Sequence, residues 1–552
     1  MKIYAALAQA FLDEEVDTIF SLMGDANMYW MTSLLDSGKV TNVHVRHENS
    51  AVAMADGYAR STGKVGVATM TSGPGLTQAA TAIIGAKRYG VPMVLFAGDT
   101  IPGDATALQY IDHHAFAKMC DVHCEPVLTP GRALDAVQTA FHRARSLREP
   151  VILSVPMTMR HAELPFEYEY VPSSLLVARE GKTVPSNQSL DDAAGLIASS
   201  RRPVIIVGQG ALAGETLRAV EELGDRIGAL YATSLLAKGA LADSPWSLGV
   251  AGTFSLPETE HVLRESDLVI GVGASLNKYT RQEGYLFPNA RTIQIVDRPA
   301  AAMAHSLPVT CYLQGDATLT VQALAALLTE GDYENDGGRK AFKPREYDPF
   351  ENNDLGTVGP EEEAMDPRDL VAAVEAAIPD GAIVVAGAGH FWSFTNKGLT
   401  GRGGRRFLCS LGFGSIGQTL PIAIGAAVGN PDLPVVMIDG DTGVLVHLLE
   451  LDGAVRHRLK LLSIVMDDDA MGAELHKLRM HGETPDAALI PTPDLAKITE
   501  GLGGSGAVVR SADELAKELA SYDWNTVHLI DAKMSQSIVD VTSVQANEIK
   551  RG

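Results

Sequence analysis

Short apolar runs alternate with helical patterns along most of the chain, and this alternation constrains the fold more than any other feature. The first block of runs predicts strands at Thr18–Met23, Val43–Val45, Val65–Thr71, Val91–Ala97 and Val151–Val155. Strands that alternate with helices favour parallel βαβ units. Because 552 residues exceed the capacity of one hydrophobic core, we predict an α/β protein with three doubly wound parallel-sheet domains, at residues 1–165, 186–330 and 362–538.

Two further blocks repeat this pattern. The second is predicted from a helix at Leu190–Ser199 and strands at Pro203–Val207, Leu268–Gly273 and Thr292–Val296. The third is predicted from a helix at Pro367–Ala377 and strands at Ala382–Ala386, Val435–Asp439, Leu461–Met466 and Val527–Asp531. Aperiodic stretches, at about residues 164–189 and 330–363, are predicted to be linkers, and the last dozen residues a tail.

The charge and the cysteine content limit the possible partners and the cellular location. A formal net charge of −23 disfavours nucleic acid and anionic membranes as partners. No apolar run reaches the roughly 18 residues of a membrane span, and the amphipathic first helix does not resemble a signal peptide. Four cysteines cannot form a disulfide framework, so we expect reduced thiols and a cytoplasmic location. Cys120 and Cys124 flank His123, but a fourth ligand is missing, and no metal is expected there.

Two acidic turns carry the strongest chemical signal. The run D-G-D-T-G at Asp439–Gly443 follows one predicted strand, and D-D-D-A-M-G at Asp467–Gly472 follows the next. Asp441 and Asp468 are 27 residues apart, which is one βαβ unit. Ligands of doubly wound sheets bind at the carboxyl ends of the strands, and carboxylates there can hold Mg²⁺. Either aspartate alone is more often an N-cap or a turn residue.

The paired turns resemble the diphosphate motif of thiamine-diphosphate enzymes, in which G-D-G is followed one βαβ unit later by N-N. This sequence departs from that pattern at Thr442 and at Asp467–Asp468. The resemblance implies that Asp441, Asp468 and the carbonyl of Ala470 bind Mg²⁺. It also implies that Gly440, Asp441, Thr442 and Met471 contact thiamine diphosphate. The extra acid at Asp467 is expected to repel the diphosphate.

Two segments of the first block extend the resemblance. R-H-E-N-S-A-V-A-M-A-D-G-Y-A-R, from Arg46 to Arg60, is similar to the activating-glutamate segment of the acetolactate synthase and pyruvate (benzoylformate) decarboxylase superfamily. The resemblance implies that Glu48 bonds to the aminopyrimidine ring and promotes formation of the cofactor ylid. On its own, a glutamate in a first helical turn usually only complements the helix dipole. T-S-G-P-G at Thr71–Gly75 matches the next motif and implies that Gly73 approaches the cofactor.

Two segments of the third block complete the resemblance. G-A-G-H-F-W at Gly387–Trp392 implies cofactor contacts from Gly387 and His390, and S-L-G-F-G-S-I-G-Q at Ser410–Gln418 implies that Ile416 supports the bent cofactor. For the glycines of these two segments, the alternative is a glycine-rich helix that packs on a sheet. Because the two halves of the site lie on separate domains, the resemblance implies a homodimer or homotetramer with the active site at the subunit interface.

The reaction is predicted from residues that resemble those of pyruvate decarboxylases. G-D-A-N at Gly24–Asn27, the pair His113–His114 and Glu474 imply a proton relay of Asp25, His113, His114 and Glu474. Each of these residues has an alternative interpretation. Asp25 is then an N-cap, the His113–His114 pair lies in a solvent-exposed loop, and Glu474 is a glutamate that carboligases also carry. We therefore expect non-oxidative decarboxylation of a small 2-oxo acid, with carboligation as a possible further step.

Other segments favour a different reaction. L-L-A-K-G-A-L at Leu235–Leu241 and S-L-G-V-A-G at Ser247–Gly252 are closer to acetolactate synthases, so a carboligase of that type is the alternative. G-V-G-A-S-L at Gly271–Leu276 lacks the continuation found in FAD-containing synthases, so bound FAD is not expected. A non-catalytic cofactor-binding homologue is a more distant alternative, suggested by the Asp467–Asp468 pair.

Overall fold

Three six-stranded sheets, each flanked by helices, form the framework of the protein. The computed structural model of the chain describes residues 1–298, 309–342, 348–350 and 355–539. Every pairing between neighbouring strands is parallel. The predicted α/β class with three parallel sheets is therefore confirmed.

The first sheet has the strand order β2-β1-β3-β4-β6-β5. Its strands are β1 (Thr18–Ser21), β2 (Thr41–His44), β3 (Gly66–Met70), β4 (Met93–Asp99), β5 (His123–Pro126) and β6 (Pro150–Pro156). Its helices are α1 (Ile3–Asp13), α2 (Met28–Leu35), α3 (Glu48–Thr62), α4 (Pro74–Gln78), α5 (Ala80–Tyr89), α6 (His113–Met119) and α7 (Ala133–Leu147). The central strands are continuous apolar runs because helices cover both faces of the sheet.

The second sheet has the order β12-β11-β10-β7-β8-β9. Its strands are β7 (Pro203–Val207), β8 (Leu230–Thr233), β9 (Ser247–Val250), β10 (Leu268–Val272), β11 (Arg291–Val296) and β12 (Cys311–Gln314). The helices of this part of the chain are α8 (Ser173–Glu180), α9 (Asn187–Ala198), α10 (Gly214–Ile227), α11 (Pro257–Glu265), α12 (Lys278–Arg281), α13 (Ala317–Glu330) and α14 (Gly337–Ala341). The strand order reverses between β7 and β10, which is where ligands commonly enter such sheets.

The third sheet has the order β14-β13-β15-β16-β18-β17. Its strands are β13 (Ile383–Ala386), β14 (Phe407–Cys409), β15 (Val435–Gly440), β16 (Leu461–Asp467), β17 (Ser505–Val509) and β18 (Val527–Lys533). Its helices are α15 (Pro367–Ala377), α16 (Trp392–Gly398), α17 (Thr419–Gly429), α18 (Asp441–His447), α19 (Leu451–Arg456), α20 (Gly472–Met480), α21 (Leu495–Gly501) and α22 (Ala512–Ser521). Counted from its own first strand, this sheet has the same order as the first sheet.

Helices α3 and α17 hold equivalent places, since each follows the second strand of its sheet, and they cross in close contact. A Cβ atom added at Gly57 would lie 1.9 Å from the carbonyl oxygen of Ile422, and one at Gly425 would lie 1.8 Å from that of Met54. The contact is reciprocal, because Met54 and Ile422 each stand three residues before the glycine of their own helix. One hydrophobic core runs through this crossing and joins the first sheet to the third.

The predicted elements can now be compared with the structure. Every predicted strand is present, with ends displaced by at most two residues. The two predicted linkers are not wholly irregular, because they contain α8 and α14. Six strands lack a prediction, namely β5, β8, β9, β12, β14 and β17. The predicted tail, 541–552, lies outside the described residues. Among the residues that the structure describes, no helix combines the length and the apolar character needed to cross a membrane.

Candidate active site

The two acidic turns lie side by side at the carboxyl edge of the third sheet. Strands β15 and β16 are hydrogen-bonded neighbours, with Gly440 opposite Met466. Asp441 therefore begins α18 next to the loop that carries Asp468. Both carboxylates are buried, at 3% and 4% exposure. The parallel register of the two strands thus brings together the two aspartates that the sequence paired.

The contacts of the two carboxylates suit a cation. Asp441 accepts hydrogen bonds from the Thr442 N–H at 2.7 Å and from the Thr492 hydroxyl at 2.6 Å. The Oδ2 atom of Asp468 is buried without a hydrogen-bond partner in the described part of the chain. Burial, together with the charges of Asp441 and Asp467, raises the pKa of Asp468 to about 8. A divalent cation would relieve both the missing partner and the repulsion, so these residues fit Mg²⁺.

The loop that carries Asp468 is held in a fixed shape. Asp469 lies in the left-handed region, with φ at 54°, which aspartate tolerates better than most residues. Its carboxylate accepts the Thr492 N–H at 2.7 Å, and its carbonyl accepts the Ile490 N–H at 2.8 Å. The next residue, Ala470, forms an isolated bridge with Leu489. No group of three or more His, Cys, Asp or Glu in the described ranges could hold a metal by itself. The two aspartates therefore fit Mg²⁺ as an ion that is also bound by phosphate oxygens, which is how Mg²⁺ is usually held.

Glycines of this edge leave room around the acids. A Cβ atom at Gly387 would lie 2.0 Å from Asp439 Oδ1, and one at Gly472 would lie 2.5 Å from Asp468 Oδ2. A Cβ atom at Gly440, by contrast, would meet nothing closer than the carbonyl oxygen of Met466, at 3.9 Å. Gly387 is therefore required by the neighbouring carboxyl group, whereas the space beside Gly440 is open to a ligand.

His390 is placed inside the third domain rather than at its surface. Its Nε2 lies 3.1 Å from the Ile538 carbonyl oxygen; because a carbonyl only accepts, Nε2 carries the proton. Its ring lies 4.2 Å from the ring of His476, centroid to centroid. Burial lowers the pKa of His390 to about 4 and that of His476 to about 3. The sequence singled out His390 but missed His476, which only the packing of α20 brings to it.

Ile416 and Met471 border the same edge. Ile416 is 43% exposed, in the loop between β14 and α17. A Cβ atom at the adjacent Gly417 would lie 2.7 Å from Val446 on α18. Met471 is half-buried immediately before α20. Ile416 thus precedes a glycine that packs on the helix begun by Asp441, and Met471 lies between the Asp468 loop and α20.

Glu48 and the T-S-G-P-G turn lie together in the first domain. Glu48 opens α3 and is 7% exposed. Its Oε1 lies 3.4 Å from the position that a Cβ atom would occupy on Gly75. Gly73 has a φ of 60°, and a Cβ atom there would lie 2.4 Å from the Gln109 carbonyl oxygen. Gly75 thus keeps the turn close to the carboxyl group, and Gly73 lets the turn pack against the Gln109 backbone.

The start of α3 also contacts the third domain of the same chain. Asn49 Nδ2 lies 3.2 Å from Gln418 Oε1 and 3.2 Å from His447 Nε2. Glu450 accepts hydrogen bonds from the N–H groups of Arg46 and His47, at 3.0 to 3.1 Å. His447 ends the helix that Asp441 begins, and seven helical residues rise about 10 Å. Within one chain, the neighbours of Glu48 therefore touch the end of α18 that is remote from Asp441.

The four residues of the predicted relay are only partly brought together. Asp25 is exposed, but the adjacent Ala26 packs on Gly98. His113 is 4% exposed, with Nε2 3.6 Å from Asp99 Oδ1, and burial lowers its pKa. His114 is exposed. The structure thus places Asp25 and His113 at one edge of the first sheet, against Gly98 and Asp99.

Glu474, the fourth residue of that set, lies on α20 of the third domain. Its side chain is 60% exposed and forms an ion pair with Lys477 at 3.3 Å. Trp30 of α2 is buried in the core of the first domain, where it stacks on Phe96 at 4.1 Å between ring centroids. Phe391 is also buried, beside His390.

Three family descriptions match successive parts of the chain. Residues 1–123 match the N-terminal TPP binding domain of thiamine pyrophosphate enzymes, residues 190–324 match the central domain, and residues 387–531 match the C-terminal TPP binding domain. The three matches follow the order of the three sheets. Each family match therefore falls on one of the three sheets, in the same order along the chain.

Named relatives extend these matches over most of the chain. The acetolactate synthase large subunit of Haemophilus influenzae is 26% identical over 522 residues, covering 93% of this chain and 90% of the relative. The acetolactate synthase of Mycobacterium bovis is 30% identical over 443 residues, covering 77% and 69%. An X-ray structure named as a thiamin diphosphate-dependent enzyme of Mycobacterium smegmatis matches with a TM-score of 0.79 and 21% identity, over 96% of this chain and 98% of that one. At 21% identity, the similarity to this X-ray structure shows only that the two proteins share a fold.

Proposed function

Because the chain belongs to the thiamine pyrophosphate enzyme family, we propose that it is a carboligase of the acetolactate synthase type. It removes CO₂ from one 2-oxo acid and joins the remaining acyl unit to the carbonyl carbon of a second molecule. The observation that carries this proposal is the similarity to proteins named acetolactate synthase over nearly the whole chain. Those relatives favour the ligase over the simple decarboxylase that the relay residues predict.

The residues of the third domain suit the metal and diphosphate end of the cofactor. In this proposal Asp441, Asp468 and the carbonyl of Ala470 bind Mg²⁺, and the open backbone beside Gly440 and Thr442 receives the diphosphate. The support is the buried carboxylate oxygen of Asp468 that lacks a hydrogen-bond partner in the described part of the chain. Thiamine diphosphate, when bound, supplies the carbon nucleophile that attacks the 2-oxo carbon.

Glu48 suits the other end of the cofactor. In this proposal its carboxyl group bonds to the aminopyrimidine ring and holds the proton exchanged there. The carboxyl group is nearly excluded from solvent and lies against Gly75, so a ring placed beside the turn would meet it without bulk water. Gly73 and Gly75 keep that approach free of side chains.

The proposal requires two copies of the chain. Within one chain, the α3 start that carries Glu48 adjoins the end of α18 that is remote from Asp441, which supports a site completed by a second copy. Exposed apolar side chains border both halves of the site, which suits a covered surface. They are Met23, Ile101, Leu108, Tyr110, Phe413, Ile416, Val446 and Leu449. We propose a homodimer or homotetramer in the cytoplasm, where the four free cysteines would stay reduced.

We also propose that the reaction proceeds without FAD. The opening between β7 and β10 is the usual dinucleotide crevice of such a sheet. The support for this proposal is the segment Gly271–Leu276 at the end of β10, which lacks the continuation found in FAD-containing synthases.

Product analysis tests the proposal. The purified protein is incubated with Mg²⁺, thiamine diphosphate and, in separate reactions, pyruvate, 2-oxobutanoate and bulkier 2-oxo acids, and the products are identified by NMR. We expect a branched 2-hydroxy-3-oxo acid as the main product. Free aldehyde as the main product would instead support the decarboxylase, and absence of turnover despite calorimetric binding of thiamine diphosphate would support a non-catalytic homologue.

A further inference from the structure

The carboxylate of Asp467 adds a negative charge next to the proposed metal and diphosphate site. Its side chain is fully buried, so water does not screen it. Asp467 directly precedes Asp468, and the pairing of Gly440 with Met466 places it at the strand end next to the one that carries Asp441. An anionic diphosphate at this edge would add to the repulsion, and the inference below therefore rests on the proposed function.

Lys533 is the cation that faces Asp467. Strands β16 and β18 pair in parallel, and Asp467 stands opposite Lys533 in their register. The ammonium group forms an ion pair with Asp467 Oδ2 and lies 3.1 Å from Asp531 Oδ2. Asp467 Oδ1 accepts the Asp469 N–H at 3.0 Å. Each oxygen of this buried carboxylate therefore has a donor.

The segment that follows Lys533 holds the same loop through backbone contacts. The Met534 N–H donates to the Asp467 carbonyl at 2.7 Å, and the Gln536 side-chain amide donates to the Asp468 carbonyl at 2.6 Å. Arg479 of α20 in turn donates to the Gln536 carbonyl at 2.6 Å. The ion pair is thus part of a continuous attachment between the end of β18 and the acidic loop.

We propose that Lys533 is a positioning residue that neutralises Asp467 and thereby makes the Asp467–Asp468 loop compatible with an anionic diphosphate. Lys533 is part of a strand whose register fixes it beside Asp467, so the compensation is built into the sheet. Without the ammonium group, the buried Asp467 charge acts directly on Asp441, on Asp468 and on the incoming diphosphate. Replacing Asp467 by asparagine removes this charge and leaves Lys533 facing Asp531 alone.

A double-mutant cycle tests this assignment. Thiamine diphosphate affinity is measured by calorimetry at saturating Mg²⁺ for the wild type, Lys533→Gln, Asp467→Asn and the double variant. We expect Lys533→Gln to weaken binding by about tenfold or more, because it leaves a buried charge uncompensated. The double variant is expected to bind more tightly than Lys533→Gln and to recover most of the lost affinity, since the two changes remove both charges of the ion pair, while Asp531 is common to both variants.

Lys497→Gln serves as the matched control. It removes a cation from the same domain, but one that pairs with Asp494 at the surface, and it should leave the affinity unchanged. Wild-type affinity in Lys533→Gln, or a double variant as weak as Lys533→Gln, overturns the inference while leaving the proposed function intact. A wild type that fails to bind thiamine diphosphate overturns both. Melting temperatures of the cofactor-free proteins identify a folding defect: a variant that melts like the wild type but binds weakly has lost affinity and not the fold.

Discussion

Glu48 is the residue on which the proposed chemistry depends most, because its proposed role is to exchange a proton rather than to support the fold. The buried carboxyl group lies against a glycine turn and begins a helix. Glutamine has nearly the same shape and can still bond to a ring nitrogen, but it cannot take up or release the proton. Replacing Glu48 by glutamine therefore tests proton exchange separately from cofactor binding.

Glu48→Gln is expected to retain thiamine diphosphate binding and to lose activity by about 10²-fold or more, the usual range for removal of a general acid–base group. Steady-state rates and calorimetric titrations of the same preparations check this. Glu163→Gln is a matched control, since Glu163 is an exposed acid that pairs with Lys2. Full activity in Glu48→Gln, with normal cofactor affinity, would contradict the assigned role.

At the scale of single elements, the crossing of α3 and α17 is the most demanding contact. Helix interiors usually lose stability at glycine, because alanine costs less conformational entropy. At this crossing alanine should instead be less stable than glycine, since a methyl group at either position would overlap the backbone of the other helix. The crossing therefore explains why two helices of the core retain glycine in their interiors.

Gly425→Ala is expected to destabilise the protein by about 1–3 kcal/mol or more, as overpacking of a rigid contact does. Gly195→Ala is the control: it lies within α9, where a Cβ atom would meet nothing within 4 Å, and it should stabilise by about 0.5–1 kcal/mol. Thermal unfolding of the two variants checks the expected loss of stability in Gly425→Ala and the expected gain in Gly195→Ala. Equal effects of the two substitutions would show that the helices can move apart at little cost.

The sequence predicted long, apolar elements better than short or exposed ones. Strands β4 and β16 are continuous buried runs and were predicted to within two residues. β14 has three residues, and β17 is a partly exposed edge strand, so neither has a pattern distinct from a loop. Motif spacing placed Asp441 beside Asp468 because the carboxyl ends of neighbouring parallel strands meet. Lys533 could not be found this way, because its place beside Asp467 depends on the pairing of β16 with β18.

At the scale of the whole molecule, a buried lysine connects the second domain to the third. Lys238 is 6% exposed, and its ammonium group donates to the Asn396 carbonyl and lies 5.0 Å from the Phe407 ring centroid. The neighbouring Gly239 packs so closely that a Cβ atom there would lie 2.3 Å from the Gly401 carbonyl carbon. Burial lowers the pKa of Lys238 from 10.5 to about 7, with Glu375 opposing that shift and Arg402 adding to it.

This pKa predicts how stability depends on pH. Between about pH 7 and 10.5 the folded protein loses the Lys238 proton while the unfolded chain retains it, so Lys238 should make stability rise with pH across that window. Lys238→Met removes this contribution. Melting temperatures at about pH 7 and about pH 9 should therefore show a smaller gain in the variant than in the wild type. Lys517→Met, at an exposed position of α22, should behave as the wild type; an unchanged gain in Lys238→Met would contradict the prediction.

The reciprocal crossing of α3 and α17 also affects how the two halves of the chain tolerate change. Two helices with equivalent places in their sheets meet through matched positions, Gly57 with Ile422 and Gly425 with Met54. Each helix therefore experiences nearly the same steric surroundings near the crossing, although the amino acids around them differ. A saturation scan along both helices should give tolerance profiles that rise and fall in step, with their minima at the two glycines.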